Sequence, residues 1–303
     1  MNIKKQTIGT LAALIANLIF GLSFIFSKSA LAVAHPLIIL SVRFTVAFLA
    51  LNLVVIFLPQ KPKFKGKPKR NLLLMGFMQP LLYFIFELYG LSLVSSALSG
   101  VIIALVPVVV MLLATVFLKE KATSVQVACT VASIIGVSAV SIISNDGSKT
   151  HFLGVILLIG AVICAAVFNV LSRSESARFT PIERTYVMFL LAAIGFNIIA
   201  IAVLKGEYIP LVLSAVTNVK FLISIAYLAV LSSVAAFLLY NYSTTAISAV
   251  RASSFSNIIT VVTVLAGVII LKEKFTILEY ILCAVIILGV WGVNTFTAER
   301  TRK

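Results

Sequence analysis

Charge is what this chain has least of. Only 11% of its 303 residues are charged, against 61% hydrophobic, and the mean hydropathy is +1.18. Soluble domains average about 25% charged residues, so a water-soluble globule is excluded. Acidic residues are scarcest, nine Asp and Glu against 24 Lys and Arg. The net charge of +15 would suggest nucleic acid in a soluble protein. Here the basic residues occupy short gaps between apolar runs, where they orient a membrane protein, and no nucleic-acid partner is expected. Cys129, Cys164 and Cys283 all lie inside apolar runs, which removes a disulfide framework and leaves small core hydrophobes. The two histidines, His35 and His151, fall in predicted loops. With no His-Glu-x-x-His, no metal-ligand spacing and no Ser/His or Asp/Asp constellation in an apolar run, neither a metal, a cofactor nor an enzymatic activity is expected.

What is abundant is apolar length. A bilayer core of about 30 Å takes about 20 residues of helix. Runs of that size lie near 8–27, 36–58, 71–94, 97–118, 124–144, 152–172, 182–204, 219–242, 250–271 and 276–296. The expected fold is therefore an all-α integral membrane protein of ten transmembrane helices. The first run, preceded by Lys4 and Lys5 and followed by Ala30 to Ala34, has features of a signal peptide. It is longer than a secretory core and has a partner in the second half, so it reads as a retained span.

The chain repeats itself. Leu93 to Val137 aligns without a gap on Ala246 to Val290, placing Leu118-Lys119-Glu120-Lys121 on Leu271-Lys272-Glu273-Lys274, Thr123 on Thr276 and Gly136 on Gly289. Gly9 to Phe44 aligns on Gly154 to Phe189, matching Ser27-Lys28-Ser29 with Ser172-Arg173-Ser174 and Pro36 with Pro181. The first register is 153 residues and the second 145. Two five-helix repeats follow, 1–147 and 148–303, forming one membrane domain. Five is odd, so the second copy enters from the opposite side and the repeat is inverted. The Lys/Arg-rich gaps, above all Lys61 to Arg70, fall on the side of both termini, which are expected to be cytoplasmic. That basic stretch reads as a topology anchor against anionic headgroups. The repeated Leu-Lys-Glu-Lys tags read as caps at helix ends rather than substrate contacts.

Ten spans in an inverted repeat, Val106-Pro107, the Leu-Lys-Glu closings of the fourth and ninth helices, and Arg43-Phe44 together resemble the drug/metabolite transporter superfamily, specifically its EamA-type bacterial members. The resemblance implies an inner-membrane carrier, an exporter of amino acids or other small metabolites, working by alternating access. Thr260 stands where Pro107 stands in the first copy, so a proline kink is expected on one side only.

Ionisable groups inside spans are costly and face a bundle interior or a wet cavity. Glu87 is the one carboxylate well inside an apolar run, and Arg43 the one comparably placed base. Both are expected about 10 Å below the outer surface, counting about 1.5 Å per residue. Two readings stay open: Glu87 binds a substrate amine or a coupling proton with Arg43 setting its pKa, or the two form a static interhelical ion pair. Gln79, Tyr83 and Glu87 should share one helix face. The positions of Glu87 and Tyr89 become Tyr240 and Tyr242 in the second copy, with Asn241 between, and either a cavity or a headgroup anchor suits these tyrosines. The Ser-rich starts of helices four and nine, the latter including Asn257 with Arg251 beside it, offer either helix poles for a substrate carboxylate or tight packing. Asn17 and Asn169 are weaker cavity candidates, since an amide can satisfy itself on a neighbouring carbonyl. Glu279 reads as interfacial. Small-molecule substrate and lipid are the expected partners, with proton coupling open. A channel and a membrane-embedded enzyme are the rival classes.

Overall fold

The computed structural model describes residues 3–57, 61–118, 123–143, 149–247, 249–272 and 276–295. Among them every regular element is helical. Seven helices are long and apolar enough to cross a membrane, and three more, Val127–Val140, Ser256–Ile269 and Ile277–Gly289, are shorter apolar helices. Lys119 to Lys121, Glu273 and Lys274, the charged parts of the repeated tag, lie outside the described residues.

Helix starts follow local chemistry. α1 (Ile3–Leu31) is followed by α2 (Pro36–Ile56), where proline opens the helix and His35 Nδ1 accepts from Leu37 N at 3.2 Å. The matched start of α9 (Pro181–Leu204) carries a full capping box: Glu183 N donates to Thr180 Oγ1 and Thr180 N to Glu183 Oε2. Glu183 also takes Lys67 Nζ at 2.9 Å and Lys63 N at 2.8 Å. The basic stretch expected as a pure headgroup anchor is thus pinned to α9, and Lys61 caps Val55 and Ile56 at the end of α2.

The third apolar run is not one helix. α3 (Arg70–Gly76) passes through a π-helical segment, Phe77–Leu82, before α4 (Tyr83–Leu93), and Gln79 inside it has extended angles, φ −142 and ψ 115. The cause is Pro80, which lacks an N–H and pushes its predecessor out of the α region. The fourth run is interrupted as well. α5 (Ser96–Ile103) and α6 (Val106–Leu118) meet at Ala104 and Leu105, just before Pro107. After α7 (Ser124–Ile143) and α8 (Lys149–Glu175), α10 (Tyr208–Val216) adds a short apolar-faced helix absent from the sequence expectation. α11 (Val219–Ala226) reaches α12 (Ala236–Ala246) through a second π-helical segment, Tyr227–Ala235. α13 (Ala249–Ser254) and α14 (Ser256–Ile269) break at Phe255 without any proline, so the second copy is interrupted too, by a break that owes nothing to proline. α15 (Ile277–Thr295) starts with Glu279 Oε2 accepting from Thr276 N at 2.6 Å and Oγ1 at 2.8 Å. Glu279 is a capping residue.

Packing is reciprocal between the halves. α1 lies against α12 and α14, while α8 lies against α4 and α6. α2 packs on α9 and α7 on α15. At the second seam Asn52 and Asn197, 145 residues apart, each bond the carbonyl four residues back, Phe48 and Ala193, and each accepts a tyrosine hydroxyl, Tyr186 at 3.2 Å and Tyr208 at 2.7 Å. At the third, a Cβ on Gly136 would stand 2.6 Å from Ile286 Cγ1, and one on Gly289 would press on Ser133 Oγ. Ser133 and Ile286 are themselves 153 residues apart. Outward faces carry Leu53, Val116, Ile142, Ile198 and Ile269 exposed, an arrangement that hydrocarbon tolerates and water does not.

Because those glycines admit the backbones at both ends of one seam, Gly136→Leu and Gly289→Leu should each cost about 1–3 kcal/mol by overpacking. Gly206, with nothing near its Cβ, should accept leucine with little change. Thermal midpoints of the purified variants in detergent measure this.

Candidate functional site

Residues of both halves line a partly open cavity, about 640 Å³ including its open side, between α1, α4, α8, α12 and the two broken helices. Nineteen residues line it, and sixteen fall into eight pairs related by the sequence registers. At 145 residues these are Phe20 with Ala165, Ser23 with Phe168, and Phe24 with Asn169. At 153 they are Gln79 with Ser232, Phe84 with Phe237, Glu87 with Tyr240, Ile103 with Ser256, and Val106 with Ile259. The kink at Gln79 and the π-helical segment at Ser232 both contribute. A π-helical turn frees backbone and shifts side chains inward, and such turns concentrate at functional sites.

Glu87 is 2% exposed, and its Oε2 has no hydrogen-bond partner. A buried polar atom without a partner costs free energy, and in a native fold it points to a ligand or an exchangeable proton. Arg43 is near enough for the two charges to interact, yet the static ion pair left open by the sequence does not form. Its donors are turned elsewhere: Nε reaches Ser233 Oγ at 3.1 Å and Nη2 reaches Ser232 Oγ at 3.2 Å. The guanidinium carbon sits 4.2 Å over the Phe84 ring centroid, a cation–π contact.

Tyr83 and Gln79 line the same space as Glu87, although Gln79 arrives through the π-helical break rather than along a continuous face. Asn17 and Asn169 both line it and both donate Nδ2 to the carbonyl four residues back, at 2.7 Å. Tyr240 is a cavity residue whose hydroxyl donates to Asn169 Oδ1, and the headgroup-anchor reading of it fails because the side chain is buried. Asn257 is absent from the lining, and its Oδ1 is buried without a partner. The Arg251 side chain lies outside the described ones. The start of α5 is closed by its own Ser95, whose Oγ accepts from Leu98 N at 3.1 Å, so that pole is not offered to a ligand.

Asn241 belongs to a different cluster, which the sequence did not reveal. Arg184, near the start of the apolar run at 182–204, is fully buried. Its Nη1 donates to Ser172 O at 2.7 Å, Ser172 Oγ at 2.8 Å and Thr244 Oγ1 at 2.9 Å, and Nη2 donates to Asn241 O. Asn241 spans the group from Thr185 to Ser172. Beside it Arg173 caps Thr244 O at 2.7 Å; its matched residue, Lys28, caps Leu91 O at 2.9 Å, and Leu91 and Thr244 are also matched. Only the run of small polar residues in α12, Ser243 to Thr245, hinted at a buried acceptor set. Among the described residues no three His, Cys, Asp or Glu come together as a metal site.

Comparison with known proteins decides the family, since the EamA-like transporter family matches residues 7–142 and 152–295. The chain belongs to the EamA-like transporter family. A Bacillus subtilis (strain 168) protein called "Uncharacterized transporter YcxC" is 33% identical over 306 residues, covering 99% of this chain and 96% of that protein. An Archaeoglobus fulgidus "Uncharacterized transporter" is 27% identical over 275 residues, covering 90% and 94%. A solved crystal structure aligns with a TM-score of 0.69 at 17% identity, over 97% of this chain and 99% of its own, which shows the fold. As an EamA family member the chain is a multi-pass membrane transporter, and the cavity lined by both halves is where such a protein can hold a small molecule.

The two buried arginine clusters and the unpaired Glu87 should respond oppositely to substitution. Arg184→Met strips charged hydrogen bonds from buried acceptors and should cost about 2–5 kcal/mol. Glu87→Gln removes an unpartnered buried charge and should leave stability unchanged or higher. The fraction of each variant remaining monodisperse after heating in detergent reads both.

Proposed function

We propose that this EamA family member is a secondary transporter that exports amino acids or other small metabolites across the cell's inner membrane by alternating access. In this reading ten transmembrane helices form an inverted five-plus-five repeat, 1–147 against 148–303, with both termini cytoplasmic. Glu87 is the central binding group, for a substrate amine or a coupling proton.

The observation that carries the reading is the paired lining: a polar-dotted cavity in which eight of the positions from one half recur in the other. Transporters built from inverted repeats place substrate at the repeat interface near the midplane, beside interrupted helices. Two π-helical segments and two broken helices meet here. The reciprocal caps supply further support, Lys28 tying α1 to the end of α4 and Arg173 tying α8 to the end of α12. With the halves inverted these ties lie on opposite membrane faces, so one can loosen while the other holds. The family match in two successive stretches agrees with the duplication. Lys61 to Arg70 on the side of both termini sets the orientation.

Reconstitution in proteoliposomes, with a panel of small metabolites and with or without a pH gradient, tests the proposal. Saturable flux competed by related compounds is expected, and Glu87→Gln should lower it at least tenfold. Fast non-saturating conductance would mean a channel. Unchanged flux and unchanged pH response in Glu87→Gln would remove the central role given to that carboxylate.

A further inference from the structure

Cationic side chains are what the cavity lacks, although Gln79, Tyr83 and Ser256, whose buried Oγ has no partner, leave neutral donors in its wall. Asn17 and Asn169 spend their amide nitrogens on Ala13 and Ala165 carbonyls, so each turns its acceptor oxygen, Oδ1, away from its own helix. The Tyr240 hydroxyl proton is used on Asn169, and Ser23 donates to Phe20 O at 2.6 Å. No Lys or Arg belongs to the lining. Arg43 is held off it, its Nε and Nη2 occupied by Ser233 and Ser232. Against this stands Glu87, a carboxyl group in the wall whose Oε2 lacks any donor.

The apolar part of the wall has the matching preference. Phe237 is in edge contact with Phe20 at 5.1 Å and Phe168 at 6.1 Å, and Phe168 stacks on Tyr240 at 6.2 Å between centroids. Ring faces attract cations and repel anions. A substrate carboxylate would have to rely on the start of α14. Phe255 there is in the α region, φ −70 and ψ −11, and α13 ends just before it. The negative pole of one helix and the positive pole of the next therefore sit together and offset each other.

We infer that the cavity takes a primary amine in its ammonium form, carried on an aromatic or similarly apolar body, and discriminates against the zwitterionic amino acid of the same skeleton. The ammonium's three donors find the Asn17 and Asn169 oxygens and Glu87, the one ionisable carboxyl of the lining. A second charge of opposite sign finds only neutral donors such as Gln79, Tyr83 and Ser256, with neither a free cation nor an unopposed helix pole, and exchanges its water for weaker partners. Translocation of that amine rests on the transporter reading above, whose substrates it narrows from amino acids to amines; its selective binding does not.

Three compounds share one skeleton and separate the charges: phenethylamine, phenylalanine and 3-phenylpropanoate. Tritiated phenethylamine should bind the purified full chain in lipid nanodiscs saturably, with phenylalanine and 3-phenylpropanoate at least tenfold weaker as competitors. Glu87→Gln should lower phenethylamine binding at least tenfold at an unchanged thermal midpoint, and Glu87→Asp should retain part of it. Phenylalanine competing as well as phenethylamine, or no saturable binding of phenethylamine, overturns the inference. The transporter reading fails differently, by saturable binding in nanodiscs with no saturable flux in proteoliposomes.

Discussion

A polar group inside a bilayer must find its partner within the protein, because hydrocarbon offers none. Nearly every feature of this structure follows from that constraint. Arg184 is buried completely, yet three carbonyl or hydroxyl partners at Ser172 and Thr244 and the Asn241 carbonyl surround its guanidinium. The Ser172 carbonyl lies in the last turn of α8, where acceptors are left over by the helix itself. Arg173 and Lys28 use the same resource at Thr244, Leu91 and Val94. Cations thus replace missing main-chain donors, and the helix ends replace missing counter-anions.

The same rule explains where the helices break. A π-helical turn in lipid would expose unpaired backbone; facing a protein interior, it can be filled from a neighbour. Ser232 and Ser233 on one π-helical segment receive Arg43 from α2. Thr260, across the seam, donates to the Gly100 carbonyl at 2.9 Å, and Thr263 donates to the Gly21 carbonyl at 3.0 Å. Interruption and compensation arrive from different halves, which makes the cavity wall a product of their packing rather than of either half alone.

Much of this was legible in the sequence because it depends on spacing. The duplication, visible in Pro36 with Pro181 and Gly136 with Gly289, anticipated equivalent contacts that the structure displays at Gly136 and Gly289 and at Asn52 and Asn197. Glu87 stood out by scarcity, since a lone carboxylate in an apolar run has few explanations. What was not legible depends on direction. Whether Arg43 turns to Glu87 or to Ser232 and Ser233 is a rotamer choice fixed by Phe84 and the π-helical turn, and no periodicity encodes it. Arg184 was hidden by position: one turn into a helix it reads as a loop charge until α8 and α12 are seen to close over it. The helix-three stripe is interrupted at Gln79 by Pro80, which the sequence did contain, yet Gln79, Tyr83 and Glu87 line one cavity.

Equivalence in position is not equivalence in chemistry, and that difference gives the cavity its character. An inverted repeat needs matched backbones so that two packings of the halves can exchange at similar free energy. It does not need matched side chains. Glu87 is paired by register with Tyr240, Phe24 with Asn169, and Gln79 with Ser232. A carboxylate in both copies would place two like charges in one low-dielectric space, at a cost in repulsion and desolvation that a transporter would have to offset in every half-cycle. Keeping the charge on one side and a hydroxyl on the other leaves a single electrostatic centre in the cavity wall. Matched positions frame the cavity, and unmatched side chains give it its chemistry.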